Sequence, residues 1–391
     1  SSKKQHTQGK QRRGRKVDGI LKCKKKKELG LFEQVPEILH HQDPHFIPPF
    51  PGSISKIFRP DSPVMKNKGE LIPFIAFRDG KPVGRIAATI NRLHNDYYKD
   101  QTGFFGFFEC INDLSVARSL FDAVRAELKE RNLTVMRGPY NPTVNDEVGL
   151  LVDGFETSPY ILMPYNPPYY LELFEALGLS PVRNLYAYYM SSEGNVPQRL
   201  VKIVERVKAR SGITVRNLNL KKLPEELKII QELYNETLVG NWGFVPISYA
   251  DLEFAAGDLK QIVNPELVLI AEKEGRAVGF SMTLPNINEF MWKAKSSKGL
   301  MRILHFAWLQ ETRNPKEARL AVLGVKPEFQ ASGLAAVFYY ETLLRGQKKY
   351  IGGELSWVDE TNEAMVRSID IMGGKRYKTY RIYEMPMEPR V

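Results

Sequence analysis

The sequence predicts an α/β chain of two tandem domains, each a mixed, mostly antiparallel sheet flanked by helices. Three observations carry this. The 391 residues exceed what one hydrophobic core comfortably fills. Hydrophobic residues at 43% and charged residues at 26% suit a soluble globular protein. One order of elements, helix–hairpin–strand–helix–strand–helix–strand, then runs twice along the chain, although the halves share little sequence.

In the first half, Gly19 to Cys23 reads as a short strand and Lys27 to His40 as a helix. A Pro-rich extended loop follows around Ile47-Pro-Pro-Phe-Pro51. Leu71 to Phe77 and Pro82 to Ile90 are apolar β runs joined by Arg78-Asp-Gly-Lys81, with Asp-Gly at the hairpin turn. Gly103 to Glu109 is an aromatic strand. Leu114 to Arg131 has helical spacing, with Leu114, Ala117, Leu120, Phe121, Val124 and Leu128 on one face. Val135 to Gly138 is the next strand. Asn166-Pro-Pro-Tyr-Tyr170 opens a helix reaching Gly178, and Leu185 to Met190 closes the unit as a strand. After a polar break, Pro197 to Arg210 forms an amphipathic linker helix.

The second half repeats the order. Ile213 to Val215 is a strand, and a helix starts at Pro224 and runs through Leu238. Val268 to Ala271 and Ala277 to Leu284 form a hairpin. Ala318 to Val325, Gly353 to Val358 and Arg381 to Met385 are strands, separated by helices over Ser332 to Leu344 and Glu363 to Met372. The expected domains are a disordered basic tail over 1–16, a first domain over 17–192, a linker over 193–212 and a second domain over 213–391.

Charge is unevenly placed. Of 56 bases and 45 acids, residues 1–27 hold 12 bases and one acid, Asp18, so the remainder carries 44 of each. The net charge of +11 is therefore a basic arm on a neutral body. Such an arm suits an anionic membrane surface, or a solvated tail. Nucleic-acid binding is disfavoured, because the arm lacks interleaved aromatics. Two cysteines, Cys23 and Cys110, exclude a disulfide framework and point to a reducing cytoplasm. No apolar stretch suits a secretory signal or a spanning helix. The six histidines show no ligand spacing, so no metal is expected.

The sharpest chemical signal is Arg319-Leu-Ala-Val-Leu-Gly-Val325 followed by Gln330-Ala-Ser-Gly-Leu-Ala335. A strand runs into a turn and then into an apolar helix. Gly333 lets backbone approach a ligand, and the free N–H groups of a helix start favour an anion such as pyrophosphate.

At these residues the chain resembles the GNAT acyltransferases, whose coenzyme A pyrophosphate loop looks like Gln330-Ala-Ser-Gly-Leu-Ala335. Leu323-Gly-Val325 matches the strand that pairs with pantetheine, and Asn362 matches the following helix start. Longer phrases are more specific: Val83-Gly-Arg-Ile-Ala-Ala88, Thr102 to Glu109, Arg137-Gly-Pro-Tyr-Asn-Pro142, Asn145 to Phe155, Pro164 to Tyr170 and Asn241-Trp-Gly-Phe-Val-Pro246. These are similar to a tandem GNAT-like group of bacterial proteins. Some of its neighbours resemble bacterial sphingoid-base N-acyltransferases, the ceramide synthases. The resemblance implies two GNAT-like domains, with coenzyme A or acyl-CoA held by Leu323, Gly324, Val325, Gln330, Ala331, Ser332, Gly333, Leu334, Ala335 and Asn362. It also implies the Val325 backbone N–H as oxyanion donor. Two departures count against it. The tyrosine acid usual before the last helix's glycine is Ile369 here, and Phe174 in the first half, which also lacks the pyrophosphate loop.

Acyl transfer to an amine needs a base. Glu354 is the first candidate and Glu360 the second, with Tyr380 as a substitute acid. Asn145, Asp146 and Glu147 suit a cationic amine or the capping of helices at a domain interface, and Tyr165, Tyr169, Trp242 and Phe244 suit the wall of an acceptor cleft or core packing. Between Asn286 and Lys316 a basic, aromatic insertion fits a membrane surface, a lid or an ordinary packed helix. The expected protein is a cytoplasmic acyl-CoA N-acyltransferase, peripheral on the inner membrane face, acting on a small-molecule or lipid amine. The alternative is a non-catalytic coenzyme A or lipid-binding module.

Overall fold

A computed structural model gives the fold and describes residues 17–194 and 196–387. The expected basic tail, residues 1–16, lies outside the described residues.

The first half runs β1 (Gly19–Lys22), α1 (Lys26–His40), α2 (Ser53–Ile57), α3 (Pro63–Lys66), β2 (Glu70–Arg78), β3 (Lys81–Ile90), α4 (Arg92–Tyr98), β4 (Thr102–Cys110), α5 (Leu114–Glu130) and β5 (Val135–Gly138). The β2–β3 turn puts Asp79 and Gly80 at positive φ, as an Asp-Gly hairpin requires. Helix α5 buries Ala117, Leu120, Phe121, Val124 and Leu128 of the face read from its spacing, adds Val116, and leaves Leu114 exposed at its first position. The segment beyond β5 is built of short strands, β6 (Tyr140–Asn141), β7 (Glu147–Val148) and β8 (Leu150–Asp153). The sequence pattern did not predict them, because two- and four-residue strands carry no periodicity. Helix α6 (Tyr170–Ala176) starts later than expected. Asn166 binds the Leu151 backbone on both sides, and Pro167 and Pro168 form the entry turn.

Strand β9 (Ser180–Ser191) and the linker helix α7 (Gln198–Ser211) lead into the second half. It runs β10 (Ile213–Asn217), α8 (Leu223–Thr237), α9 (Tyr249–Leu259), β11 (Val268–Lys273), β12 (Arg276–Pro285), α10 (Asn288–Ala294), α11 (Gly299–Thr312), β13 (Glu317–Val325), α12 (Leu334–Gly346), β14 (Gly352–Asp359), α13 (Glu363–Ile371) and β15 (Lys375–Pro386). The insertion between two strands is thus the helix pair α10–α11.

The halves do not keep separate sheets. Thirteen of the described strands make one sheet in the order β1-β2-β3-β4-β5-β15-β9-β14-β13-β12-β11-β10, with β8 pairing β15, and β6 and β7 form a separate two-stranded ribbon. The last strands are exchanged: β9, expected to close the first half, pairs β14 of the second, and β15 pairs β5 of the first. The exchange is fixed by register, since β9 runs antiparallel to both β14 and β15 over most of its length. Only β4–β5 and β13–β14 are parallel, one pair in each half.

A splayed strand pair and a buried carboxylate network

Each parallel pair opens along its length. In the second half, β13 and β14 pair from Glu317–Gly352 to Leu320–Leu355 and then part, so Ser356 to Asp359 face β9 alone. The remainder of β13 keeps only β12. Lys326 N donates to Val278 O on that side. N–H groups alternate along a strand, so those of Val325 and Leu323 turn toward the gap.

The turn after β13 is a 3-10 segment over Pro327–Ser332, and α12 begins at Leu334 rather than at Ser332. Gly333 has φ of 84°, a left-handed value that favours glycine. The N-cap of α12 is Gly333, which has no side chain to cap with; Ser332 Oγ accepts from Leu334 N at 3.3 Å, and Gln330 and Ala331 are exposed. These features fit the expected pyrophosphate of coenzyme A. The Cβ direction of Gly333, however, meets Val207 Cγ2 of α7 at 2.9 Å, so this glycine serves close helix packing as well as the turn.

At the root of the gap lies a buried network that the sequence had disclosed only as Glu354. Glu354 is fully buried and stands opposite Arg319 on the adjacent strand. Its Oε1 accepts from Ser356 Oγ at 2.5 Å, and its Oε2 accepts from the Tyr377 hydroxyl. Arg319 Nε lies 3.9 Å from the carboxylate and donates to Ser356 Oγ at 2.7 Å. The same guanidinium holds Ser356 O and Ile161 O, each at 3.0 Å. Burial raises the Glu354 carboxyl, and Arg319 opposes the rise. Behind it, Lys378 donates to Gly154 O and Thr157 O, and burial brings its ammonium down to about 8.

Tyr380 is fully buried and its hydroxyl has no hydrogen-bond partner among the described residues. Its field partners are Glu354, Arg319 and Glu147. Glu147 reaches this place through the β6–β7 hairpin: two residues on, Gly149 packs against the Tyr380 Cβ, and Leu151 pairs with Tyr380. Glu147 is half-buried, accepts from Asn141 Nδ2 at 3.3 Å, and is pushed up to about 7, chiefly by desolvation. Glu354 and Glu147 both act electrostatically on Tyr380, while the charged groups acting on Glu147 itself are Arg85, Asp146 and Glu109.

Other expected site residues have local employment. Glu360 accepts from Asn184 N and Nδ2, both at 2.9 Å, fixing β9. Asn362 caps α13 by accepting from Met365 N at 3.2 Å. Asp146 accepts from Thr143 N and Oγ1 in its own turn, and the surrounding protein raises it to about 6 although it is exposed. Asn145 accepts from the Tyr234 hydroxyl. Tyr165 donates to Asp43 at 2.9 Å. Tyr169 lies in the first half, donating to Cys110 O at 2.6 Å. Phe244 is core, while Trp242 donates to the Tyr140 hydroxyl and stacks beneath Arg183 and Arg137. Ile369 and Phe174 are both fully buried.

Arg319, Ser356, Tyr377 and Lys378 were missed. The available signal was charge in apolar strands: Arg319 opens a six-residue apolar run, and Glu354 interrupts another. Beside the network is a cavity of 610 Å³, walled by Tyr160, Tyr189, Tyr377, Glu317, Trp292 and Lys293 among others.

No family model matches the chain. A bacterial ceramide synthase of Caulobacter vibrioides (strain NA1000 / CB15N) is 33% identical over 376 residues, covering 93% of this chain and 96% of the relative. Protein YghO of Escherichia coli (strain K12) is 32% identical over 369 residues, covering 92% and 93%. Among solved structures, a tandem GNAT protein from the clavulanic acid biosynthesis pathway aligns with a TM-score of 0.59 at 12% identity, over 95% of this chain and 99% of that one, a likeness of fold. The two long alignments and the shared architecture make one statement: the chain belongs to the tandem GNAT-like acyltransferase family that includes the bacterial ceramide synthase.

Proposed function

We propose that this protein transfers an acyl group from acyl-CoA to the nitrogen of a long-chain, sphingoid-type amine. The observation that carries the reading is the open gap between β13 and β14, with a carboxylate network at its root and, at its far end, a helix start with glycine at its N-cap. The name of the Caulobacter relative supports a lipid amine, and so does a 610 Å³ cavity with aromatic walls.

Gln330, Ala331, Ser332, Gly333, Leu334 and Ala335 would hold the pyrophosphate of the donor, with Leu323, Gly324 and Val325 along its pantetheine arm. The donor supplies a thioester carbonyl, and Val325 N–H is turned to meet the oxyanion that develops there. Glu147 takes the proton from the acceptor ammonium. It is half-buried, and a value near 7 suits a base at neutral pH. The nitrogen then forms its bond to the carbonyl carbon as the carbon–sulfur bond breaks, and the second nitrogen proton passes to the departing thiolate, leaving the amide and the free thiol of coenzyme A. Tyr380, with a free hydroxyl, donates to the developing negative charge. Arg319 and Glu354 hold Ser356 and Tyr377 and so act as positioning residues. Work at an anionic membrane on the cytoplasmic side belongs to the same reading.

The test is release of free thiol from long-chain acyl-CoA in the presence of a sphingoid-type amine, with the amide identified by mass spectrometry. Tyr380→Phe should keep the fold, since the hydroxyl it removes is unpaired, yet slow turnover. Binding of acyl-CoA without amide formation on any amine would favour the binding-module alternative.

A further inference from the structure

Helix α11 is apolar on both sides. Arg302, Phe306 and Leu309 face inward, with Arg302 gripping Glu37 at 2.6 and 2.9 Å and Phe306 stacking on Phe50. Facing outward are Leu300 at 68% exposure, Met301 at 64%, Leu304 at 53% and Trp308 at 54%. They recur at helical spacing and form one stripe. Trp292 of α10 adds a further exposed ring, tethered to Pro44 O through its Nε1. Nothing among the described residues covers this stripe.

Its rim is cationic. Lys293, Lys298, Arg313 and Lys316 are exposed around the helix pair, and the acids of the same stretch are Glu289, turned to the Lys316 and Glu317 backbone, and Glu311. A second copy meeting this face about a two-fold axis would bring like charges together. A bilayer bearing anionic headgroups would accept both the rings and the lysines. No helix among the described residues is long and apolar enough to cross a membrane. The fit is therefore to a surface. Trp292 and Lys293 also line the 610 Å³ cavity, so the same short helix belongs to the apolar face and to the cavity wall.

We infer that the outward face of α10 and α11 docks on an anionic lipid bilayer and sets the cavity mouth at the headgroup level. This rests on the proposed lipid amine only for its purpose; the contact itself is independent of it. The face would let a long-chain amine pass from the bilayer to the cavity without crossing water.

The test uses full-length protein and a double variant, Leu304→Glu with Trp308→Glu. Both positions are exposed and neither lines the cavity. Melting curves check that the variant folds. Wild type should float with vesicles of mixed phosphatidylglycerol and phosphatidylcholine at low salt, and less with phosphatidylcholine alone. The variant should lose at least about tenfold in binding. Both proteins carry the basic residues 1–27, so attraction by that arm cancels in the comparison. Wild type ignoring anionic vesicles, or a variant floating equally, would overturn the inference. So would a solution dimer that the variant dissolves into monomers. Acyl transfer to a short, water-soluble amine is measured alongside and should be equal in the two proteins. If neither transfers an acyl group while wild type still floats and the variant does not, the catalytic reading fails and the docking face stands.

Discussion

The two halves build the same parallel strand pair and treat its opening differently. In the first half, β4 and β5 pair from Thr102–Val135 to Phe104–Arg137 and then part, as β13 and β14 do. That opening is filled by the chain itself. A Cβ on Gly106 would lie 1.6 Å from Tyr140 O, and Phe107 N donates to Asn141 Oδ1 at 2.6 Å. The helix that follows is sealed as well. Asp113 caps α5 by accepting from Ser115 N at 2.8 Å, and Arg78 binds the same carboxylate at 3.0 Å. An anion already sits where a pyrophosphate would bind. In the second half no strand among the described residues threads the opening, and α12 begins at Gly333 with no carboxylate on its first N–H groups among the described residues, only Ser332 Oγ on Leu334 N. The same fold thus holds one gap occupied by its own chain and one that the proposed function assigns to a ligand, and Asn141 and Asp113 are the side chains that bond into the closed one. The segment that closes the first gap carries Glu147, whose charge acts on Arg85 of the first half as well as on Tyr380 and Arg319; in the proposed mechanism the closed half delivers it to the open one.

The largest expected effect strikes that delivery. Glu147→Gln should lower kcat by about 10² to 10⁴ while leaving acyl-CoA affinity unchanged. Wild-type rate should rise with pH through about 7, where Glu147 loses its proton, and the variant should be flat there. The sign for stability is opposite. The folded value lies above the ordinary 4.5, so this carboxyl's contribution is lost as pH rises from 4.5 through about 7. Urea denaturation at pH 5 and pH 8 should show the variant without that loss.

Glu354→Gln tests the root of the open gap. It leaves Arg319 buried without its counter-charge, and removing one member of such a pair costs about 3–5 kcal/mol. Denaturant midpoints measure it; a variant as stable as wild type would mean the network does not support β13 and β14.

At the open helix start, Ala331→Glu places a carboxylate on an exposed turn. Calorimetry should show coenzyme A affinity falling by roughly tenfold or more, since a like charge replaces a favourable helix end. This position is a cleaner probe than Gly333, whose Cβ would strike α7. The smallest effect belongs to the closed half: Asp113→Ala should cost about 1 kcal/mol of stability, the worth of a cap, with coenzyme A affinity unchanged.

This division explains what the sequence could disclose. Periodic elements such as α5, the Asp79-Gly80 hairpin and the β13–turn–α12 run were legible, because local spacing and turn chemistry determine them. The exchange of β9 and β15 was not, because either strand satisfies the same apolar pattern beside either partner. Glu354 could be picked out as a lone charge in an apolar strand. Its partners could not, since Arg319 is set by parallel register and Tyr377 by the exchanged strand. Glu360 and Asn362 looked like site residues because polar groups at strand ends do either job; here they fix β9 and cap α13.

The most direct test of the central claim is a crystal structure with a non-hydrolysable thioether analogue of acyl-CoA. The account predicts one molecule per chain, its pantetheine beside Leu323 to Val325 and its pyrophosphate at Gln330 to Ala335. Density between β4 and β5, with Asn141 displaced from Phe107, would contradict it.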